Sequence, residues 1–133
     1  YVQQLGRGSY NVANSIQSSF GSKSEIFQRY GSSNTANVAQ LNGIGHDSKL
    51  LQRGSSNTGT VYQSGIFMIA DMQQIGDRNT GVINQDGSAH KSIFTQLGSD
   101  NNASAFQTAS ENSSTQNQVG QFNGATVTQG GYN

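Results

Sequence analysis

From residue 11 onward, small, apolar and amide side chains recur at every second position, the period at which side chains of a β-strand share one face. Six stretches follow one rule: Asn11-Ala13-Ser15-Gln17, Asn34-Ala36-Val38-Gln40, Asn57-Gly59-Val61-Gln63, Asn79-Gly81-Ile83-Gln85, Asn101-Ala103-Ala105-Gln107 and Asn123-Ala125-Val127-Gln129. Between them lies a second set, in which a small residue precedes an apolar one and then glutamine. It runs through Ser22-Ser24-Ile26-Gln28, His46-Ser48-Leu50-Gln52, Met68-Ala70-Met72-Gln74, His90-Ser92-Phe94-Gln96 and Asn112-Ser114-Gln116-Gln118. The intervening positions obey no such rule and hold the charges, so they are expected to face water or a neighbour.

The glutamines at 17, 28, 40, 52, 63, 74, 85, 96, 107, 118 and 129 are spaced by eleven or twelve residues. On alternate intervals a Gly-x-x-Asn element follows: Gly8 to Asn11, Gly31 to Asn34, Gly54 to Asn57, Gly76 to Asn79, Gly98 to Asn101 and Gly120 to Asn123. Self-similarity at 22 or 23 residues, six times over, predicts an all-β β-solenoid of six stacked strand-turn-strand coils. The repeats run approximately over 1–17, 18–40, 41–63, 64–85, 86–107 and 108–129, in a single domain over 1–133 with a short tail at 130–133. Two departures fall at expected turns: Gln28 is separated from Gly31 by one residue more than the pattern, and Gln4 precedes Gly8 by four positions.

Composition explains how so polar a chain can fold. Gly, Ser, Asn and Gln make up 66 of 133 residues, whereas Leu, Ile, Val and Phe supply only 26. Stacked Gln and Asn at the inter-strand spacing of roughly 4.7–4.8 Å can hydrogen-bond to their own copies, so a narrow interior needs little oil. Seven basic residues balance seven acidic ones, which removes both the charge excess of a disordered chain and the basic surplus of a nucleic-acid binder. Without cysteine there is no disulfide or thiolate site, and without proline every residue keeps its amide donor. The longest apolar run, Ile66 to Ala70, is too short to span a bilayer.

A solenoid has two open ends, and soluble ones cap them; the chain carries no obvious cap, so head-to-tail addition into an open filament is expected. Candidate chemistry is sparse. His46 and His90 fall in one column two coils apart, roughly 9.6 Å, too far to share a metal ion. His46, Asp47 and Ser48 include triad residue types, but strand neighbours point to opposite faces. Arg29 and Arg53 occupy matching places and could meet an anionic polymer, but the column continues as Ile75, Leu97 and Val119. No catalytic residue, cofactor or metal is assigned. Asp47, Asp71, Asp77, Asp86 and Asp100 are candidate gatekeepers against premature assembly, and Tyr62 and Phe106 candidates for lateral contact. A Thr-x-Thr array of the kind used by ice-binding solenoids is confined to Thr58/Thr60 and Thr126/Thr128.

The unit Gln-x-Gly-x-x-Asn-x-(Ala/Gly)-x-x-x-Gln, ungapped at Gln52 to Gln63, Gln74 to Gln85, Gln96 to Gln107 and Gln118 to Gln129, resembles the curlin repeat of curli subunits, the functional amyloid of bacterial biofilms. The resemblance implies a secreted subunit polymerising into cross-β amyloid fibres at the cell surface of a Gram-negative-type bacterium, for adhesion and matrix scaffolding. Its implied partners are further copies of itself, a nucleator subunit, an outer-membrane secretion pore and accessory proteins, with matrix polysaccharide or host surface proteins as possible adhesion targets. It implies a structural protein, not an enzyme. The regular, uncharged stretch Asn112 to Gln129 favours the major fibre subunit over the basic nucleator. The N-terminal secretion segment that the family places before the repeats is missing from this sequence.

Overall fold

The computed structural model of the chain describes residues 2–5 and 10–130. It is all-β: β1 (Val2–Leu5), β2 (Val12–Gln17), β3 (Lys23–Arg29), β4 (Thr35–Ile44), β5 (Asp47–Arg53), β6 (Thr58–Ile66), β7 (Ile69–Asp77), β8 (Thr80–Ser88), β9 (Lys91–Ser99), β10 (Asn102–Ser110), β11 (Ser113–Gln121) and β12 (Gly124–Gln129). Odd-numbered strands form one six-stranded sheet and even-numbered strands the other. All pairings are parallel, each strand bonding to the strand two further on, so every coil contributes one strand to each sheet. This is the β-solenoid that the alternation and the repeat predict.

Register follows the repeat. Gln52 lies beside Gln28 and Gln74, and Gln63 beside Gln40 and Gln85. A one-residue slip would turn every inward glutamine outward, so the buried pattern fixes the pairing. The extra residue of the second repeat, Tyr30, leaves the ladder at a turn with φ 55° and 71% exposure. A second irregularity sits on β4, where the pairing with β6 jumps from Leu41 to Gly43 and leaves Asn42 unpaired at φ 49°. Such a bulge absorbs one residue without changing which side chains face inward.

The interior is one layer thick and packs large against small. Leu50 and Met72 from the odd sheet fill the space opposite Gly59 and Gly81 of the even sheet. A Cβ on Gly81 would lie 2.7 Å from the Met72 sulfur, and one on Gly59 2.8 Å from a Leu50 methyl. Farther along, Phe94 is buried in the same core as Ala103 and Ala105. The glycines and alanines after each asparagine therefore set the inter-sheet distance.

Both turns of each coil are built alike, although only one carries a uniform motif. In Gly76-Asp77-Arg78-Asn79 and in Gly87-Ser88-Ala89-His90, the glycine has φ of 119° and 127° and the third residue φ of 56° and 55°. The carbonyl of the next coil approaches each glycine so closely that a Cβ there would sit 1.9 Å from the oxygen. The second turn was hidden in the sequence because its glycines, Gly43, Gly65 and Gly87, are followed by His46, Met68 and His90 instead of a constant asparagine. Ala109 continues that column at φ 76°.

Candidate functional site

The feature with chemical consequence is a set of amide ladders running the height of the solenoid. In the odd sheet Gln28 donates to Gln52, Gln52 to Gln74, Gln74 to Gln96 and Gln96 to Gln118, Nε2 to Oε1, each at 2.9 Å. In the even sheet the chain of donors runs Gln17, Gln40, Gln63, Gln85, Gln107 to Gln129, the first contact at 2.6 Å and the rest at 2.9 Å. From Gln28 to Gln96 these glutamines have no solvent exposure.

From Gln28 to Gln107 each of these glutamines uses its second N–H as well. Gln52 Nε2 donates to the Thr35 carbonyl at 2.8 Å, Gln74 to that of Thr58 at 2.9 Å and Gln85 to that of Ile69 at 3.1 Å. These acceptors belong to the opposite sheet, so one side chain ties successive coils together and also ties the two sheets. Period-two patterning cannot reveal that cross-sheet bond, because it depends on how closely the sheets approach.

Asparagines make a ladder of opposite polarity at the first turn. Asn57 Nδ2 donates back to Asn34 Oδ1 at 3.1 Å and forward to the Gly76 carbonyl at 2.8 Å, while the Asn57 backbone N–H donates to the same Asn34 Oδ1 at 3.0 Å. The pattern recurs at Asn34, Asn79 and Asn101, and Asn123 donates to Asn101 from both its side chain and backbone. At its lower end Asn11 donates to the Gly31 carbonyl. Buried amides of this kind are satisfied by their own copies, which removes the desolvation cost that an isolated buried Asn or Gln would carry.

Of the glycines singled out with this turn, Gly54, Gly76, Gly98 and Gly120 adopt positive φ, and Gly31 does not, because Tyr30 before it takes the left-handed conformation instead. Gly31 is still needed, since a Cβ there would sit 1.8 Å from the Gly54 carbonyl oxygen. Gly8 lies outside the described residues.

The second corner is a mixed column: Ser22, His46, Met68, His90 and Asn112 follow one another coil by coil. Ser22 Oγ accepts the His46 backbone N–H at 3.1 Å. His90 is bonded at both ring nitrogens, Nε2 to the Asp86 carbonyl at 3.0 Å and Nδ1 to the Asn112 N–H at 3.3 Å, which requires the neutral Nε2–H tautomer. His46 is equally buried, but neither of its ring nitrogens has a hydrogen bond. Burial pushes its imidazole below the usual histidine value, with the nearby Leu41 carbonyl opposing that shift in part.

His46 and His90 are separated by the Met68 rung, and no group of three or more metal-ligating side chains occurs among the described residues. Asp47 points away from the interior that holds His46 and Ser48. Arg29 lies over the Phe27 ring and Arg53 over the Tyr30 ring, each at 5.2 Å from the centroid, and Arg53 is followed in register by Ile75. Two opposite-charge pairs lie on the surface, Lys23 with Glu25 at 2.9 Å and Arg78 with Asp100 at 2.7 Å, while Arg29 and Arg53 stand side by side in register. No described helix is long and apolar enough to cross a membrane.

Compared with known proteins, residues 76–108 match the family model described as the curlin associated repeat. The matched segment runs from the Gly76 turn through β8, β9 and most of β10, one full coil and the start of the next. No curated protein matches the chain.

Proposed function

We propose that this chain, which carries the curlin-associated repeat, is a structural subunit of an extracellular curli-like amyloid fibre. In this reading residues 1–133 act as one repeat domain, and copies add head to tail on the cell surface of a Gram-negative-type bacterium, scaffolding a biofilm matrix and serving adhesion. The carrying observation is the directional amide ladder. Among the described residues, Gln118 and Gln129 each receive an amide hydrogen bond from the coil before them and pass none to a further glutamine, whereas Gln17 passes one and receives none. A second copy stacked on β11 and β12 in the same register offers the acceptors those donors lack, and the parallel strand edges pair in the same step. The glutamine and asparagine columns with their turn glycines are then the assembly machinery. The uncharged stretch Asn112 to Gln129 supports the role of major subunit over nucleator.

The test is electron microscopy with fibre diffraction on the purified chain at neutral pH. Unbranched filaments with an axial reflection at about 4.7–4.8 Å are expected. A persistent strand-rich monomer would overturn the reading.

A further inference from the structure

The two outer faces of the solenoid differ in charge. Outward positions of the odd strands carry Lys23, Glu25, Asp47, Lys49, Asp71 and Lys91. The six-residue stretches of the even sheet 12–17, 35–40, 58–63, 80–85, 102–107 and 124–129 contain no Asp, Glu, Lys or Arg, and the one charge on the even strands, Asp86, is exposed at the edge of the face just past Gln85. Their outward side chains are threonine, asparagine, serine, β-branched aliphatics and two aromatics. The column Ile16, Ala39, Tyr62, Asn84, Phe106, Thr128 alternates bulky with smaller residues along the fibre axis. Ile16 is 61% exposed, Phe106 40% and Tyr62 36%. Between Ile16 and Tyr62 the small Ala39 leaves a depression, lined also by Asn14, Asn37 and Thr60.

We propose that this uncharged face is the lateral interface of the fibre, and that its occupant is the same face of a second copy of this chain in a neighbouring filament. Two such faces can meet with Asp86 left in solvent at their edge, whereas two odd-sheet faces would have to bury these six charges from each copy, at a cost that pairing only partly offsets. A partner displaced by one coil sets its bulky side chains against the smaller ones, the interdigitation of a dry interface between sheets of high β-propensity and low charge. Six coils by six strand residues give a footprint of roughly 29 Å by 20 Å per chain, or about 1,200 Å² counting both partners. That clears the ~1,000 Å² expected of a specific interface, and stacking repeats it along the filament.

This inference rests on the fibre reading, and the experiment separates the two. Mass per length is measured by scanning transmission electron microscopy on the full chain, on a Tyr62→Lys/Phe106→Lys double variant and on Thr95→Lys, an outward change on the odd sheet. Expected are two chains per ~29 Å of filament for the wild type and Thr95→Lys, and a two-fold drop to one chain for the double variant. Because the chain has no cysteine, a single Ser104→Cys carries a spin label on the outward side of β10, midway along its paired residues, without replacing either aromatic. Inter-label distances well below the ~29 Å chain repeat are expected. Single-width wild-type filaments, or labels no closer than the chain repeat, overturn the pairing and leave the fibre standing. This holds equally if such single filaments bind a glycan through the face. Absence of any filament overturns both.

Discussion

The two interior corners of each coil have the same backbone and different chemistry. At the first, Asn34, Asn57, Asn79 and Asn101 repeat without exception, and each asparagine oxygen accepts two N–H groups of the next coil. At the second, serine, histidine, methionine, histidine and asparagine succeed one another, and the bonds between coils at that corner come from the backbone and from whichever side chain happens to offer an acceptor. The contrast teaches that one amide-laddered corner is enough to hold the register. The other needs only a side chain of suitable volume and no net charge. Both corners tolerate an extra residue, Tyr30 before the first and Asn42 before the second.

Exchanging the corners breaks the comparison most severely. Asn57→Met removes an oxygen that satisfies two donors on Asn79 and a donor to Gly76, and it leaves buried groups unpaired at about 1–3 kcal/mol each. A loss of several kcal/mol in denaturant unfolding is expected. Met68→Asn, at a corner with no amide ladder to break, is expected to cost less than Asn57→Met. Equal losses for the two would show that the corners are equivalent.

Next in size come the turn glycines, where both corners should respond alike. Gly76→Ala and Gly87→Ala each place a Cβ 1.9 Å from a carbonyl oxygen at positive φ, and a loss of about 2–4 kcal/mol, with slowed filament growth, is expected for either. A harmless Gly87→Ala would mean that the second turn is loose.

Acid sharpens the comparison at one rung. The folded-state pKa of His46 is lowered, so the unfolded chain binds the proton more readily. The stability is whole above the ordinary histidine value near 6.5 and is lost as pH falls below it, by no more than about 1.4 kcal/mol per pH unit for one proton. The other histidine, His90, is common to the two proteins compared and cancels between them. Ser22, Met68, Gln40 and Gln63 near His46 are uncharged, Asp47 points outward, and the carboxyls of Glu25 and Asp100 are held below their usual range by Lys23 and Arg78. Unfolding at pH 7.5 and pH 5 should separate for the wild type more than for His46→Met, which copies the Met68 rung. An identical pH response in the two would exonerate His46.

The smallest expected effect is on the surface. Asp100→Asn breaks the bidentate pair with Arg78, and solvent screening of so exposed a pair leaves unfolding unchanged within error. Faster filament growth would mark Asp100 as a gatekeeper against assembly, and unchanged growth would remove it from that set.

Much of this molecule was legible from residue order alone. A side-chain period of two and a repeat of 22 or 23 residues determined strands, coils, register and the inward columns, because in a parallel stack each copy must lie on its own image. What the linear pattern could not hold was anything set by distance between the sheets or by backbone dihedrals. The glutamine bonds to the opposite sheet, the left-handed residues Ser56, Arg78 and Asp100 at successive turns, and the equivalence of the two corners all belong to that class. The outer faces belong to it too: Lys23, Glu25, Asp47, Lys49, Asp71 and Lys91 gather on one face only when alternate strands are sorted into different sheets. Periodicity dictates which side of a strand a residue occupies, and only the wound coil decides which sheet, and therefore which neighbour, that side confronts.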